Sequence, residues 1–128
     1  MLQELHNRGV EEYPKLSMNK FLGLLLLVPV LAFGHSELVG SIPVADSTVS
    51  NPESVVLRFN QNVRLIKFLV TSENGDKLET SFKEPHQGVW PEYNIPVPNM
   101  VIGKFTVDWG VIGQDGHPLT DSFTFKVE

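Results

Sequence analysis

The sequence predicts an all-β domain, an antiparallel Greek-key sandwich or small barrel of about seven strands. Three observations support this fold class. Apolar and polar residues alternate with a period of two over several stretches from Ser50 onward, turn-forming clusters separate these stretches, and sustained helical periodicity is absent. Alternation of this kind buries one face of each strand, and short strands divided by frequent turns favour sandwiches and barrels.

The strands are predicted from their inward-facing residues, which together should form the core. These residues are Val55, Leu57 and Phe59; Ile66, Phe68 and Val70; Phe105, Val107, Trp109 and Val111; and Phe123, Phe125 and Val127. The predicted turns are the Asn-, Asp- and Gly-containing clusters at residues 60–62, 73–76, 98–99 and 114–116. Three prolines fall within residues 87–100, and proline cannot donate to a central ladder, so this region is predicted to be an edge strand or a long connection.

Residues 18–34 have the layout of a cleavable secretory signal. A largely apolar run at residues 21–33 follows a basic residue, and the small residues Ala32 and Gly34 stand in the spacing that a signal peptidase reads. The run is shorter than the roughly 20 apolar residues that cross a membrane. We therefore expect cleavage between Gly34 and His35, secretion of the mature chain, and a single mature domain at residues 35–128.

Residues 1–17 form an upstream extension in this interpretation. Their polar and acidic composition does not suit the positive start of a signal, so Met18 is the expected true start. The mature chain is the same with either start.

Composition narrows the classes of partner. Residues 35–128 contain 7 Lys plus Arg against 12 Asp plus Glu, which argues against a nucleic-acid partner. The chain has no cysteine, so disulfides and thiolate metal sites are excluded. No apolar stretch after the signal approaches membrane length, and we expect no stable membrane insertion of the mature chain.

Three residues could form a metal site. Cleavage would give His35 a free α-amine, which can close a chelate ring with its own imidazole. Asp115 and His117 are two residues apart, so on an extended backbone both side chains point to one side. Amine, two imidazoles and a carboxylate make a nitrogen and oxygen donor set that suits the tetragonal plane of Cu(II) better than the tetrahedron of zinc.

Each of these signals also has an ordinary explanation. Asp115-Gly116 is a common turn dipeptide, His117 would serve as a surface histidine before a proline, and a histidine can follow a cleavage site by chance. Met100 is the only methionine after the cleavage site, and His86 is predicted to be an exposed loop residue, so a second site for Cu(I) is not expected.

The residues resemble the CopC family of bacterial periplasmic copper resistance proteins. The resemblance spans nearly the whole mature chain and depends on the histidine at the cleavage site, on residues 38–43 and 52–60, and above all on residues 103–109, 115–118 and 122–125. Gly113 and Asp121 depart from the family pattern, where serine and glycine are usual.

The resemblance implies an Ig-like Greek-key β-barrel that binds one Cu(II) through the mature N-terminal histidine and an Asp-x-His motif, with His35, Asp115 and His117 at the matching positions. It also implies a carrier or buffer that exchanges copper with a membrane copper transporter or another periplasmic copper protein. Two other classes remain open from the residues alone: a small copper redox enzyme of the N-terminal-histidine type, and a metal-free β-sandwich interaction module.

Overall fold

A computed structural model describes residues 34–84 and 87–128. Within these ranges the regular structure consists of strands without a helix, and therefore no helix there could cross a membrane. Most of the predicted signal, the extension at residues 1–17 and the predicted loop residue His86 lie outside the described residues. The strands are β1 (Leu38–Ile42), β2 (Thr48–Val49), β3 (Ser54–Ser72), β4 (Trp90–Pro96), β5 (Gly103–Ile112) and β6 (Pro118–Val127).

The long strand β3 takes part in two sheets. Its residues 54–63 carry the pairings with β1 on one side and β4 on the other, whereas residues 64–72 pair with β5. The second sheet continues from β5 to β6, and β2 adds a two-residue parallel pairing at its edge. The predicted all-β sandwich is confirmed. Six strands supply about seven strand segments because β3 contributes one segment to each sheet.

The predicted turn at residues 60–62 is wrong. These residues lie inside β3, between the Arg58 and Val63 pairings with β4, and pairing with β5 in the other sheet begins shortly afterwards at Arg64. The chain continues through them as a strand without reversing, so a polar triplet that is typical of turns instead lies shortly before a change of sheet.

One predicted core residue is also wrong. Ile66 is only half-buried, while its neighbour Leu65 is fully buried. The ladder with β5 is irregular between Leu65 and Lys67, so Ile66 is an extra residue in the strand. An extra residue reverses the alternation of inward and outward side chains, which returns to the predicted phase at Phe68.

The other predicted core residues lie inside, except that Phe123 is partly buried against the core. Trp109 meets Phe59 edge to face with ring centroids 5.3 Å apart, joining β5 to the first half of β3. Met100 is also buried in this core. The proline-rich region forms β4, which among the described strands pairs with β3 alone, so the edge strand, one of the two predicted alternatives, is confirmed.

Candidate metal centre

The β5–β6 hairpin determines where Asp115 and His117 lie. Ile112 pairs with Pro118, so residues 113–117 form the connecting loop. The N–H of Gly113 donates to the carbonyl of His117 at 3.1 Å, which closes the loop at its base. Gly116 has a φ of 78°, a left-handed conformation that glycine adopts without strain. The predicted turn is confirmed, and this turn, not the extended backbone considered above, brings the side chains of Asp115 and His117 into contact.

The Asp115 carboxylate makes two contacts with His117. Its Oδ1 accepts the backbone N–H of His117 at 3.0 Å, and its Oδ2 lies 3.2 Å from Nδ1 of the same residue. Hydrogen bonds to an ionised carboxylate favour the charged form. The backbone N–H of His117, followed by the two imidazoles, accordingly lowers the pKa of Asp115 from 3.8, although its limited desolvation acts in the opposite direction.

His35 reaches the same carboxylate from the start of the described chain. Its Nδ1 lies 3.5 Å from Oδ2 of Asp115. The side chain of Asp115 is 19% exposed, whereas those of His35 and His117 are 90% and 75% exposed. The acidic group therefore lies at the base of the cluster, with an imidazole on either side that is open to solvent.

Two residues of the stretch 60–62, which was wrongly predicted to be a turn, bind the segment that contains His35. Asn60 donates from Nδ2 to the carbonyl of His35 at 3.1 Å and accepts the N–H of Glu37 on Oδ1 at 2.9 Å. Gln61 donates from Nε2 to Oγ of Ser36 at 2.9 Å. Sequence reasoning missed both residues. The available signal was the polar triplet itself, which interrupts the alternating pattern before Val63 resumes it.

Gly113 allows the N-terminal segment to approach the hairpin closely. A Cβ at this position would collide with Oγ of Ser36 and would lie 3.0 Å from Oδ1 of Asp115. The serine that is usual at this position in the resembled family would not fit beside Ser36 as it stands here. Glycine at position 113, where the resembled family usually has serine, thus leaves the space that the Ser36 side chain occupies.

The structure brings together all three residues that the sequence singled out. One donor atom from each of His35, Asp115 and His117 lies within 4.8 Å of the others. Ligands about 2.0 Å from one ion are roughly 3 Å apart when adjacent and 4 Å apart when opposite in a square plane. The spacings of 3.5 Å and 3.2 Å from Oδ2 of Asp115 to the two imidazoles are close to the adjacent value. These three residues could therefore hold a single transition-metal ion.

Comparisons with known proteins are consistent with one another. The sequence model of the CopC domain family matches residues 38–128 of this chain, a range that includes Asp115 and His117 but not His35. Copper resistance protein C of Escherichia coli is 30% identical, with 83% of this chain and 91% of the relative covered. Copper resistance protein C of Pseudomonas syringae pv. tomato is 31% identical, with 80% and 88% covered.

A solved structure extends the comparison to the fold. The crystal structure of PcoC, a methionine-rich copper resistance protein from Escherichia coli, has a TM-score of 0.59 to this chain at 25% sequence identity. The match covers 74% of this chain and 100% of the other.

Proposed function

Because this chain belongs to the CopC domain family, we propose that it is a periplasmic copper resistance protein in which His35, Asp115 and His117 bind one Cu(II) ion. A single observation carries this proposal. His35 lies 80 positions before Asp115 in the chain, yet its imidazole approaches the same carboxylate oxygen of Asp115 as the imidazole of His117. The chain spans most of the length of its copper resistance relatives, which supports a similar role.

The donor types favour Cu(II). Two imidazoles and a carboxylate are the nitrogen and oxygen ligands that this ion prefers in a tetragonal plane. In the metal-free site, Oδ2 of Asp115 is within reach of both Nδ1 atoms, so a proton on an imidazole can be shared with the carboxylate. A bound ion would replace such protons, and the carboxylate would offset part of its charge.

The fourth donor is the α-amine of His35, which requires a free N-terminus at this residue. In our proposal residues 18–34 act as the signal, residues 1–17 lie upstream of it, and the mature domain is residues 35–128. The imidazole nitrogen that faces Asp115 is Nδ1, the ring nitrogen nearer the backbone. This is the nitrogen with which the amine of the same residue can close a chelate ring.

The exposure of the site favours a carrier or buffer over an enzyme. His35 and His117 present most of their surface to solvent, so a partner can approach the ion directly. Asp115 would occupy a coordination position that an oxygen-activating copper enzyme keeps open. We expect the receiving or supplying partner to be a membrane copper transporter or another periplasmic copper protein.

The position of Met100 argues against a Cu(I) role. A soft ion is bound by several thioether or thiolate ligands. Met100 is buried in the core and only 5% exposed, so its sulfur is not offered at the surface. The proposal is therefore limited to one Cu(II) site.

The test compares copper binding by two purified proteins, one that begins at His35 and one that keeps Gly34 in front of it. Competition with a chelator gives the affinity, and electron paramagnetic resonance reports the donor atoms. The extended protein should bind at least about tenfold more weakly, because losing a donor exceeds the roughly 1.4 kcal/mol that a tenfold change requires. Equal tight binding by both proteins would reject the amine as a ligand.

A histidine outside the proposed site provides the matched control. His86→Ala removes one of the three histidines of residues 35–128 and should leave the affinity and the resonance spectrum unchanged. His117→Ala should weaken binding strongly. If the protein beginning at His35 fails to bind Cu(II), or if His86→Ala weakens binding as much as His117→Ala, the proposed function or its site is wrong.

A further inference from the structure

The first residues that the structure describes, residues 34–37, come before strand β1. The β1–β3 pairing starts with Leu38 opposite Phe59. Chain ends are poorly ordered unless other groups hold them. A metal site that uses the first residue of a mature chain therefore needs something that fixes that residue.

The side chain of Asn60 extends the ladder beyond the paired strands. The backbone N–H of Asn60 donates to the carbonyl of Glu37 at 3.0 Å, and the N–H of Glu37 donates in return to Oδ1 of Asn60 at 2.9 Å. Nδ2 of Asn60 then donates to the carbonyl of His35 at 3.1 Å. One carboxamide thus provides the acceptor and the donor that a further strand residue would have provided from its backbone.

These contacts do not require the residues before His35. Both partners of the Asn60 side chain, the carbonyl of His35 and the N–H of Glu37, belong to the mature chain. Gln61 differs, because one of its two hydrogen bonds is to the carbonyl of Gly34 at 3.2 Å and would be lost on cleavage. Asn60 keeps its full set of contacts after processing.

We propose that Asn60 is a positioning residue for copper: its carboxamide holds the mature N-terminus so that the donors of His35 face Asp115 and His117 before the ion binds. This inference rests on the proposed function. A site whose donors are already in place loses less conformational entropy on binding, so the ion is held more tightly and released more slowly. Partners that orient metal ligands typically contribute 10- to 100-fold in affinity.

The experiment uses the protein that begins at His35, with Asn60→Ala as the variant and Asn62→Ala as the control. Asn62 is exposed on the same strand, and its side chain makes no hydrogen bond to the described residues. We expect Asn60→Ala to weaken Cu(II) binding roughly 10- to 100-fold and to speed dissociation, with Asn62→Ala unchanged. Nuclear magnetic resonance relaxation of the metal-free protein should show greater motion at residues 35–37 in Asn60→Ala alone.

A further background separates positioning from a general loss of structure. When His35→Ala is combined with retention of Gly34, both donors of residue 35 are absent, and Asn60→Ala should then cause no additional loss of affinity. A continued loss in that background would overturn the inference, because Asn60 would then act through other ligands.

The outcomes distinguish the two proposals. If the unmodified protein binds Cu(II) and Asn60→Ala binds equally well, the positioning role is wrong and the proposed function stands. If the unmodified protein does not bind Cu(II), the proposed function itself fails. Should Asn60→Ala not fold, Asn60→Leu replaces it, because leucine keeps a similar size without a donor or acceptor, and equal affinity in that variant would also reject the inference.

Discussion

Asp115 contacts His117 with both of its carboxylate oxygens, one on the backbone N–H at 3.0 Å and one on the imidazole at 3.2 Å. The first contact is local to the turn and orients the carboxylate. The second oxygen is thereby directed to the position where His35 also arrives, at 3.5 Å. The turn therefore prepares the acidic group that the two histidines share.

Replacing Asp115 with Asn tests the charge of this shared group. The amide oxygen can still accept the N–H of His117, so the loop should keep its shape while the negative charge is lost. We expect Cu(II) affinity to fall at least about tenfold, since the ion loses an anionic ligand and a tenfold change requires only about 1.4 kcal/mol. Chelator competition measures this loss, and circular dichroism should show an unchanged fold. Affinity equal to that of the unmodified protein would remove Asp115 from the ligand set.

The carboxyl group of Asp115 should titrate below 3.8 in the metal-free folded protein. The main cause is the N–H of His117, and the pKa is lowered relative to an unfolded chain. A lowered folded-state pKa stabilises the protein above the unfolded value, and this contribution disappears as the pH falls through the folded value. Carbon-detected nuclear magnetic resonance can follow the titration.

His117→Ala provides the comparison for that titration. The variant keeps the backbone N–H, so the pKa of Asp115 should rise only part of the way toward 3.8. A carboxyl that titrates above 3.8 in the unmodified protein would contradict the hydrogen bonding described for the turn.

Copper affinity should decrease on acidification. Imidazole and amine nitrogens must lose their protons to bind a metal, so protons compete with the ion. The lowered pKa of Asp115 keeps its carboxylate ionised at neutral and mildly acidic pH, and the decrease there should come from the nitrogen donors. Asp115→Asn should therefore show the same pH dependence between pH 7 and about pH 5, displaced to weaker binding. Affinity that stays constant from neutral to strongly acidic buffer would exclude these donors.

Gly113→Ala tests the close approach of the N-terminal segment. The added Cβ would collide with Oγ of Ser36, so the segment or the loop must move. We expect the free energy of unfolding to fall by about 1 kcal/mol, as for other overpacked positions. Thermal or denaturant unfolding measures the change.

Ser36→Ala removes the colliding oxygen and should recover part of that loss when it is combined with Gly113→Ala. If the double variant is as unstable as the sum of the two single variants, the collision is not the cause.

The sequence predicted the fold well wherever strict alternation operates. Val107, Trp109 and Val111 follow the period of two along β5, and all three are buried. Ile66 does not follow the period of two, because it is the extra residue of a bulge in the pairing of β3 with β5. A bulge depends on both strands, and the sequence pattern of one strand does not contain that information.

The candidate site could be predicted only in part. Asp115 and His117 share a turn, so their proximity follows from local sequence, and His35 stood out through the cleavage signal. Asn60 could not be recognised, because its partners are 23 and 25 residues away and its own neighbourhood is typical of a turn. The polar triplet interrupts the alternation, but the same interruption is typical of a turn and does not reveal that a side chain of the strand binds another segment.

The passage of β3 through both sheets gives a bound ion a mechanical role. His35 is held against the half of β3 that belongs to the first sheet, while Asp115 and His117 lie on a hairpin of the second. An ion that joined them would cross-link the two sheets in a chain that has no cysteine to do so. Because such an ion would bind the folded site and not the unfolded chain, it would stabilise the folded state by mass action, and the melting temperature would rise with copper concentration.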